Sequence, residues 1–522
     1  MLYENKIWVA NSEEGKIFLL PSMGNRHGLI AGATGTGKTI TLKVITEAFS
    51  DLGIPIFLAD VKGDLAGMCL PGIDSESMQK RIKKFGIDNF VYEKKATCFW
   101  DLYGKKGHPV RTTISEMGPT LLSKILDLND VQEGVLYIVF RIADENGWLL
   151  LDIKDLRAML QYVSDNSSKY TIKYGNISKQ TIGTIARAIL TLEDSGGNLF
   201  FGEPSLNIYD WIRCDEKGRG IINILDSEKL VNSPRLYSTF LLWMLTELYE
   251  KLPEVGDVEK PKLAFFFDEA HLLFNNITKA LLEKVEQIVK LVRSKGVGVY
   301  FITQNPADIP DGVLAQLGNK IQHALRAYTP AEQRAVRVAS DSFRPNPAFS
   351  TEKVISEMGI GEALISFLDE TGKPNIVQRA FVLPPQSQMG TIDDFDRKEV
   401  IFRSPMGSKY DTMIDRESAY EILTKKFESE EDQKNEEKIK KEEEKRIKDE
   451  EKRIKEEEKE NIKREREAAK EAARIEKERR LNKSPFEKVL QSATKTAAST
   501  ATRAITTKIL RGVLGTLLGG KK

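Results

Sequence analysis

The stretch HGLIAGATGTGKTITLKVI, His27 to Ile45, constrains the fold more tightly than any other part of the chain. An apolar run, GLIA, passes into Gly32, Ala33, Thr34, Gly35, Thr36 and Gly37. Lys38 and Thr39 follow, and then a segment with Leu, Ile and Phe at helical spacing. The order is buried strand, glycine-rich bend, helix. Glycines at such a bend let backbone N–H groups turn inward around phosphate oxygens, and the N-terminus of the following helix favours the same anions. The pattern Gly-x-x-x-x-Gly-Lys-Thr therefore predicts a nucleotide site with ATP and Mg²⁺ as cofactors. Residues 32–39 would form the cradle, with Lys38 reaching the β- and γ-phosphates and the Thr39 hydroxyl ligating the metal. An accidental glycine-rich turn would lack the strand before it and the helix after it.

A chain of 522 residues has room for more than one domain, and its net charge of +1 advertises no global affinity for nucleic acid or membrane. A local basic patch or pore is invisible to that sum. Cys69, Cys98 and Cys214 lie far apart without C-x-x-C spacing, as expected of reduced thiols. The N-terminus has early charges and no apolar core of a signal peptide, and no run of about 18 apolar residues occurs. These features lead to the expectation of a soluble cytoplasmic protein.

Short apolar runs, GLIAG, IPIFLAD, GIINIL, KLAFFFDEA, GVYFITQ and EALISFLD, alternate with helical patterns. Strands of that kind are buried on both faces of a parallel sheet, which predicts an α/β fold. Helical patterns dominate from about Arg111 to Leu192, an insertion between the second and third core strands. The expected organisation is a first core part with an N-terminal hairpin (1–100), a mainly helical insertion (101–215) and a second core part (216–427). A charged helical spacer (428–481) and an amphipathic tail (482–522) complete it.

The spacer is almost pure Glu, Lys and Arg, and i,i+4 pairs stabilise such a helix by about 0.2–0.5 kcal/mol each. Ile439, Ile447, Ile454, Ile462 and Ile475 are spaced more thinly than a coiled-coil seam requires. A solvated single helix is the expectation, with a weak coiled coil as the alternative. The tail sequence KILRGVLGTLLGG reads as a docking or self-association helix, with peripheral membrane contact as the alternative.

The second chemical signal is KLAFFFDEAHLLF, an apolar strand ending in Asp268 and Glu269. Asp268 is placed to complete the Mg²⁺ shell with Thr39. Glu269 is placed to orient the water that attacks the γ-phosphate, since phosphoryl transfer is mostly positioning and charge stabilisation. Gln304 ends another apolar strand, where its amide could sense the γ-phosphate, position the water or simply satisfy the core. Arg293 sits at a helix end before that strand, either as an arginine finger or as an ordinary helix-terminal cation. His271 has no ligand-spaced partner, and His27, His108 and His323 are isolated, so none predicts a metal site.

The order GATGTGKT, ADVKGD, FFFDEAHLLF, RSKGVGVYFITQNP resembles the HerA/FtsK group of RecA-like motor ATPases, and within it the bacterial HerA-like proteins of the YjgR type. HPVRTTISEMGP, FFGEPSLNIYDWI, SPRLYSTFLLWMLTELYE and LAQLGNKIQHALRAYTP share the resemblance, which covers nearly all of residues 1–427 and the ending ILRGVLGTLLGGKK. It implies a RecA-like (ASCE) P-loop NTPase core in which the FITQ strand lies between those leading to the P-loop and to Asp268, with Glu269 as catalytic base. It also implies a homo-oligomeric ring, commonly hexameric, with sites at subunit interfaces, where Arg293 would reach a neighbour's γ-phosphate. HerA proper carries an N-terminal barrel, whereas about 27 residues precede the P-loop here, room for a hairpin of KIWVA and KIFLL. The resemblance implies that Asp60 and Lys62 flank the nucleotide or line the pore, whereas their residue types alone leave them as loop charges. The leading functional reading is an ATP-hydrolysing motor acting on DNA as translocase or helicase; the alternative is an ATP-dependent switch or scaffold without nucleic acid. A P-loop kinase is disfavoured by Glu269 and Gln304.

Overall fold

The computed structural model describes residues 2–87, 89–274 and 279–481. The C-terminal tail, for which a docking helix is expected, lies outside the described residues. The chain divides into two compact units, Met1–Lys426 and Phe427–Lys522.

The first unit is built on one sheet of thirteen strands: β1 Leu2–Tyr3, β2 Lys6–Ser12, β3 Gly15–Leu19, β4 Gly28–Ala31, β5 Ile56–Asp60, β6 Thr97–Asp101, β7 His108–Pro109, β8 Ile222–Asp226, β9 Leu263–Phe267, β10 Val297–Thr303, β11 Asn319–Gln322, β12 Glu362–Ser366 and β13 Gln378–Val382. The spatial order is β1-β2-β13-β12-β11-β4-β10-β9-β5-β8-β6-β7, with β3 paired to β2 as a hairpin. From β11 to β7 every pairing is parallel; from β11 to β1 every pairing is antiparallel.

Two features depart from the sequence reading. EALISFLD, expected within a parallel sheet, is β12 and runs antiparallel to both β11 and β13. A short apolar run records burial on two faces but not direction, which the connections decide. TCFWD, not among the expected runs, is β6, a buried strand parallel to β8. The chain between β5 and β8 thus forms the helix Glu76–Lys84 and adds β6 and β7 to the sheet before its longer helical run. The helices Ile114–Ile125, Asp130–Asn146, Ile153–Asp165, Ser167–Tyr174 and Lys179–Leu192 then follow.

The central strands are apolar throughout because helices cover both sheet faces. On β9 the side chains alternate, as strand geometry requires. Phe266 points to the face of helix Lys38–Asp51, stacking on Tyr300 of β10 with ring centroids 4.7 Å apart and meeting Phe49 at 6.0 Å. Phe265 and Phe267 point to the other face, where helix Pro234–Lys251 packs, and meet Phe57 at 5.1 Å and Phe301 at 5.6 Å. Burying each ring fully contributes about 1.5–3 kcal/mol.

The helix that follows the P-loop is held by charge as well as by packing. Its fully buried Glu47 accepts the N–H groups of Gln386 (2.7 Å) and Ser387 (3.0 Å) and the Ser387 hydroxyl (2.5 Å), so the chain beyond β13 straps across it. Burial pushes the Glu47 carboxyl above its ordinary pKa, against the pull of those hydrogen bonds. Cys69 and Cys98 are buried and all three cysteines are unpaired. Among the described residues no helix is long and apolar enough to cross a membrane.

In the second unit the described residues continue the helix Ala419–Leu481. Ion pairs at i,i+4 such as Lys441–Glu437 and Arg474–Glu478 (both 3.9 Å) lie along it, and Ile439, Ile447, Ile454, Ile462 and Ile475 stay exposed.

His27 offers a test of the packing at the start of β4. Its backbone is left-handed (φ 58°), its Nδ1 accepts the Val299 N–H at 3.0 Å, and its Nε2 is buried without a partner. Burial pushes its pKa down to about 4. Between the unfolded value of about 6.5 and pH 4 the unfolded chain binds a proton that the folded chain refuses. Stability is therefore expected to fall by about 1.4 kcal/mol per pH unit from this residue alone as the pH drops through that window. His27→Asn, which tolerates the left-handed backbone and keeps an acceptor, should flatten the slope by that amount in denaturant titrations at pH 7, 6 and 5.

Candidate active site

Parallel pairing brings the carboxyl ends of β4, β10, β9 and β5 to one edge of the sheet. Ala31 pairs with Thr303, Phe301 with Phe267, and Phe267 with Ala59. The residues that follow, the P-loop after β4, Gln304 after β10, Asp268 and Glu269 after β9, and the loop from Asp60 to Leu65 after β5, consequently share one crevice. Crevices at carboxyl strand ends are where open α/β sheets bind ligands.

The P-loop has the backbone its glycines permit, with φ of 152° at Gly32, 77° at Gly35 and 118° at Gly37. A Cβ on Gly32 would stand 2.5 Å from the Cβ of His323. The helix starts at Lys38 with Gly37 as a cap that offers no side chain, so the first-turn N–H groups lack intrahelical acceptors. The Lys38 ammonium folds back onto the carbonyls of Gly32 (2.7 Å) and Ala33 (3.2 Å), and Thr36 donates to Ala33 O at 2.7 Å. Burial lowers the Lys38 pKa, with Glu269 pulling the other way.

His323, which sequence reasoning dismissed as isolated, is the loop's support. It is fully buried after β11. Its Nδ1 donates to Glu362 O at 2.8 Å, leaving Nε2 to accept the Thr41 hydroxyl at 2.8 Å, while Ala33 N–H donates to Ala324 O. Burial pushes its pKa down to about 4, which keeps it neutral, while the Glu362 carbonyl fixes the proton on Nδ1. No local motif signals this role; the ring matters because β11 lies beside β4.

Around Thr39 the site is acidic. The Thr39 hydroxyl reaches Asp64 Oδ2 at 3.4 Å, and Asp64 Oδ1 is buried without a hydrogen-bond partner. Asp60 accepts the N–H groups of Gly63 (2.8 Å) and Leu65 (3.1 Å), shaping the loop that carries Lys62 and Asp64. Burial, reinforced by the charges of Glu269 and Asp64, pushes the Asp268 pKa up to about 7. Burial, with Asp64 and Asp268, does the same for Asp60. Thr39, Asp64 and Asp268 offer the all-oxygen donor set that suits Mg²⁺, and the orphaned Asp64 oxygen is a donor of the right kind beside the Thr39 hydroxyl. No cluster of three or more His, Cys, Asp or Glu with metal-holding geometry occurs among the described residues.

Glu269 is the most heavily engaged side chain. Its backbone is left-handed (φ 47°), unusual for a residue with a Cβ. Lys62 Nζ lies 2.5 Å from its Oε1, Gln304 Nε2 donates to both carboxylate oxygens at 3.2 Å, and His271 Nδ1 stands 3.4 Å from Oε2. Burial works to raise its pKa, but Lys62, Gln304 and His271 outweigh that and hold it below the ordinary range. Gln304 Oε1 also accepts the Thr34 hydroxyl at 3.3 Å, joining the P-loop to Glu269.

The crevice thus brings together residues 32–39, Asp268, Glu269 and Gln304. It adds Lys62, whose place the sequence left open, and Asp64, which the ADVKGD motif contained but which went unassigned. Arg293 does not join them. It precedes β10 beside Arg26 and Asp257, with Nη2 3.8 Å from Asp257 Oδ1. The seven residues of β10 put roughly 23 Å between it and Gln304.

Comparisons with known proteins place the chain in a family and a fold. The family model for the HerA-like helicase C-terminal region matches residues 5–522. The DNA double-strand break repair helicase HerA of Sulfolobus acidocaldarius is 23% identical over 367 residues, 68% of this chain and 65% of that protein. A probable helicase of Methanocaldococcus jannaschii is 28% identical over 146 residues, 26% of this chain and 28% of that one. The chain therefore spans less than two-thirds of the length of either relative. Among solved structures, the bacterial conjugative coupling protein TrwBdeltaN70 in its unbound form covers 74% of this chain and 91% of its own, with a TM-score of 0.50 and 13% identity, a likeness of fold. With a strand between those of the P-loop and of Asp268, the sheet is a RecA-like P-loop NTPase core, and the chain belongs to the family of HerA-like helicase C-terminal domains.

Proposed function

We propose that this protein binds ATP with Mg²⁺ and hydrolyses it, as the motor of an assembly that acts on DNA. The observation that carries the reading is Gln304, whose amide touches Thr34 of the phosphate cradle and both oxygens of the buried carboxylate Glu269. That arrangement suits a water held between a γ-phosphate and a base.

In this reading Lys38 exchanges its loop carbonyls for the β- and γ-phosphates, and the P-loop N–H groups hold the remaining oxygens. Thr39 and Asp268 would hold the metal, with Asp64 beside them, and the ion would supply positive charge against the charge that develops on the phosphate. Glu269 takes the proton of the attacking water while Gln304 fixes that water's position. Arg293, at the opposite end of β10, serves a γ-phosphate only on a neighbouring subunit, in a homo-oligomeric ring. The helicase relatives favour DNA as the substrate of the motor. The balanced charge of +1 favours the second reading, an ATP-driven switch or scaffold without nucleic acid.

ATPase rates with and without double-stranded DNA, single-stranded DNA and RNA separate the two, since DNA stimulation that falls steeply with salt marks phosphate contacts. Lys38→Ala is expected to weaken nucleotide binding and abolish turnover. Glu269→Gln should retain binding but lose turnover by a factor on the order of 10² or more. Wild-type turnover in Glu269→Gln would refute its role as base.

The placement of Arg293 generates a mixing test. Arg293→Ala and Glu269→Gln subunits, each inactive alone, are expected to recover part of the activity in mixed rings, where some interfaces join an intact Glu269 to an intact Arg293. Undiminished activity of Arg293→Ala by itself would remove this residue from the mechanism.

A further inference from the structure

We propose that Lys62 is a positioning residue for the reaction at Glu269, its ammonium holding the carboxylate in place against the Gln304 amide. The proposal rests on reading Glu269 as the base.

Three observations lead to it. The first is the contact itself: Lys62 Nζ meets Glu269 Oε1 at 2.5 Å, while the Gln304 amide donates to both oxygens. The Glu269 side chain is 5% exposed and that of Lys62 is 47% exposed, so a solvent-reaching cation caps a buried anion. Exposed ion pairs contribute little to stability, but removing the cation from a buried carboxylate leaves that charge uncompensated.

The second is how Lys62 is presented. Both carboxylate oxygens of Asp60 are used to bend the 61–65 loop, through Gly63 N–H and Leu65 N–H, and Gly63 takes a left-handed φ of 76°. The Asp60 carbonyl also accepts the Ser227 N–H at 2.9 Å, tying the loop to β8. A buried aspartate placed among other carboxylates is an expensive way to shape a turn. Its effect is to deliver one lysine from the end of β5 across to the end of β9.

The third is the division of labour between the two lysines. Lys38 is engaged by the Gly32 and Ala33 carbonyls, inside the phosphate cradle. Lys62 makes its ion pair with Glu269, the carboxylate that the Gln304 amide links to Thr34 of the P-loop. Glu269 also has Asp268 as its immediate neighbour, a like charge that would turn an unheld carboxylate away. Lys62 and Gln304 together hold it by both oxygens.

A positioning role and a direct phosphate contact make different demands on kinetics. Lys62→Met, Lys62→Gln and Lys62→Arg would be made in the full chain, together with Glu269→Gln and the Lys62→Met/Glu269→Gln double variant. Steady-state turnover and binding of ADP and of a non-hydrolysable ATP analogue would be measured for each. Lys62→Met and Lys62→Gln are expected to lower kcat about tenfold or more, less than loss of the base itself. KM and both nucleotide affinities should stay within about twofold, and Lys62→Arg should restore most of kcat. The double variant should be no slower than Glu269→Gln, because Lys62 acts through that carboxylate.

Unchanged kcat in both neutral variants would overturn the proposal. So would a selective loss of affinity for the ATP analogue over ADP, which would make Lys62 a γ-phosphate ligand. A further multiplicative loss in the double variant would likewise assign it an independent role. Wild-type turnover in Glu269→Gln, by contrast, would refute the reading of the base, whatever Lys62 does.

Discussion

The site depends on the two-sided burial of β4, β10 and β9. Tyr300 faces Phe266 across one surface of the sheet and Phe301 faces Phe267 across the other, so neither strand can slide along its neighbour. A slip of one residue would turn every side chain to the opposite face. It would also carry Asp268, Glu269 and Gln304 out of step with the P-loop. Gly28 adds to this lock, for the Tyr300 ring lies where its Cβ would be. The chemistry at the strand ends is thus placed by aromatic packing well inside the sheet.

What that packing creates is an electrostatic problem. Asp60, Asp64, Asp268 and Glu269 converge at one edge, in surroundings where a like charge and a lost hydration shell both favour the proton. The protein answers unevenly. Glu269 receives Lys62 and Gln304 and is held anionic. Asp60 receives backbone N–H groups, and Asp268 is left raised beside an orphaned Asp64 oxygen. That imbalance is suited to a site completed by a divalent cation and an anionic ligand, with the base kept ionised in advance. The P-loop side is handled differently, by a neutral His323 and by carbonyls that hold Lys38.

Much of this was legible in residue order. The glycines of the P-loop, Lys38 and Thr39, and the strand-ending pair Asp268 and Glu269 each carry a local signature. Gln304 was legible because it too ends an apolar run. EALISFLD was legible as a buried strand but misread in direction, since two-sided burial looks the same in parallel and antiparallel pairing. TCFWD escaped because a five-residue strand with polar ends offers little period to read.

The sequence by itself determined the nature of the phosphate-binding bend, the α/β alternation and the identity of the acidic pair, because these rest on contacts among residues close in the chain. Tertiary structure alone decided that Lys62 is opposed to Glu269 across 207 positions and that His323 supports Thr41 across 282. It also decided that Arg293, only eleven positions before Gln304 in the chain, stands at the far end of the same strand. The reason is geometric. Strand order places β9 and β10 beside β4 and β5, and neighbours across a sheet are chosen by crossovers whose course no local pattern of side chains records.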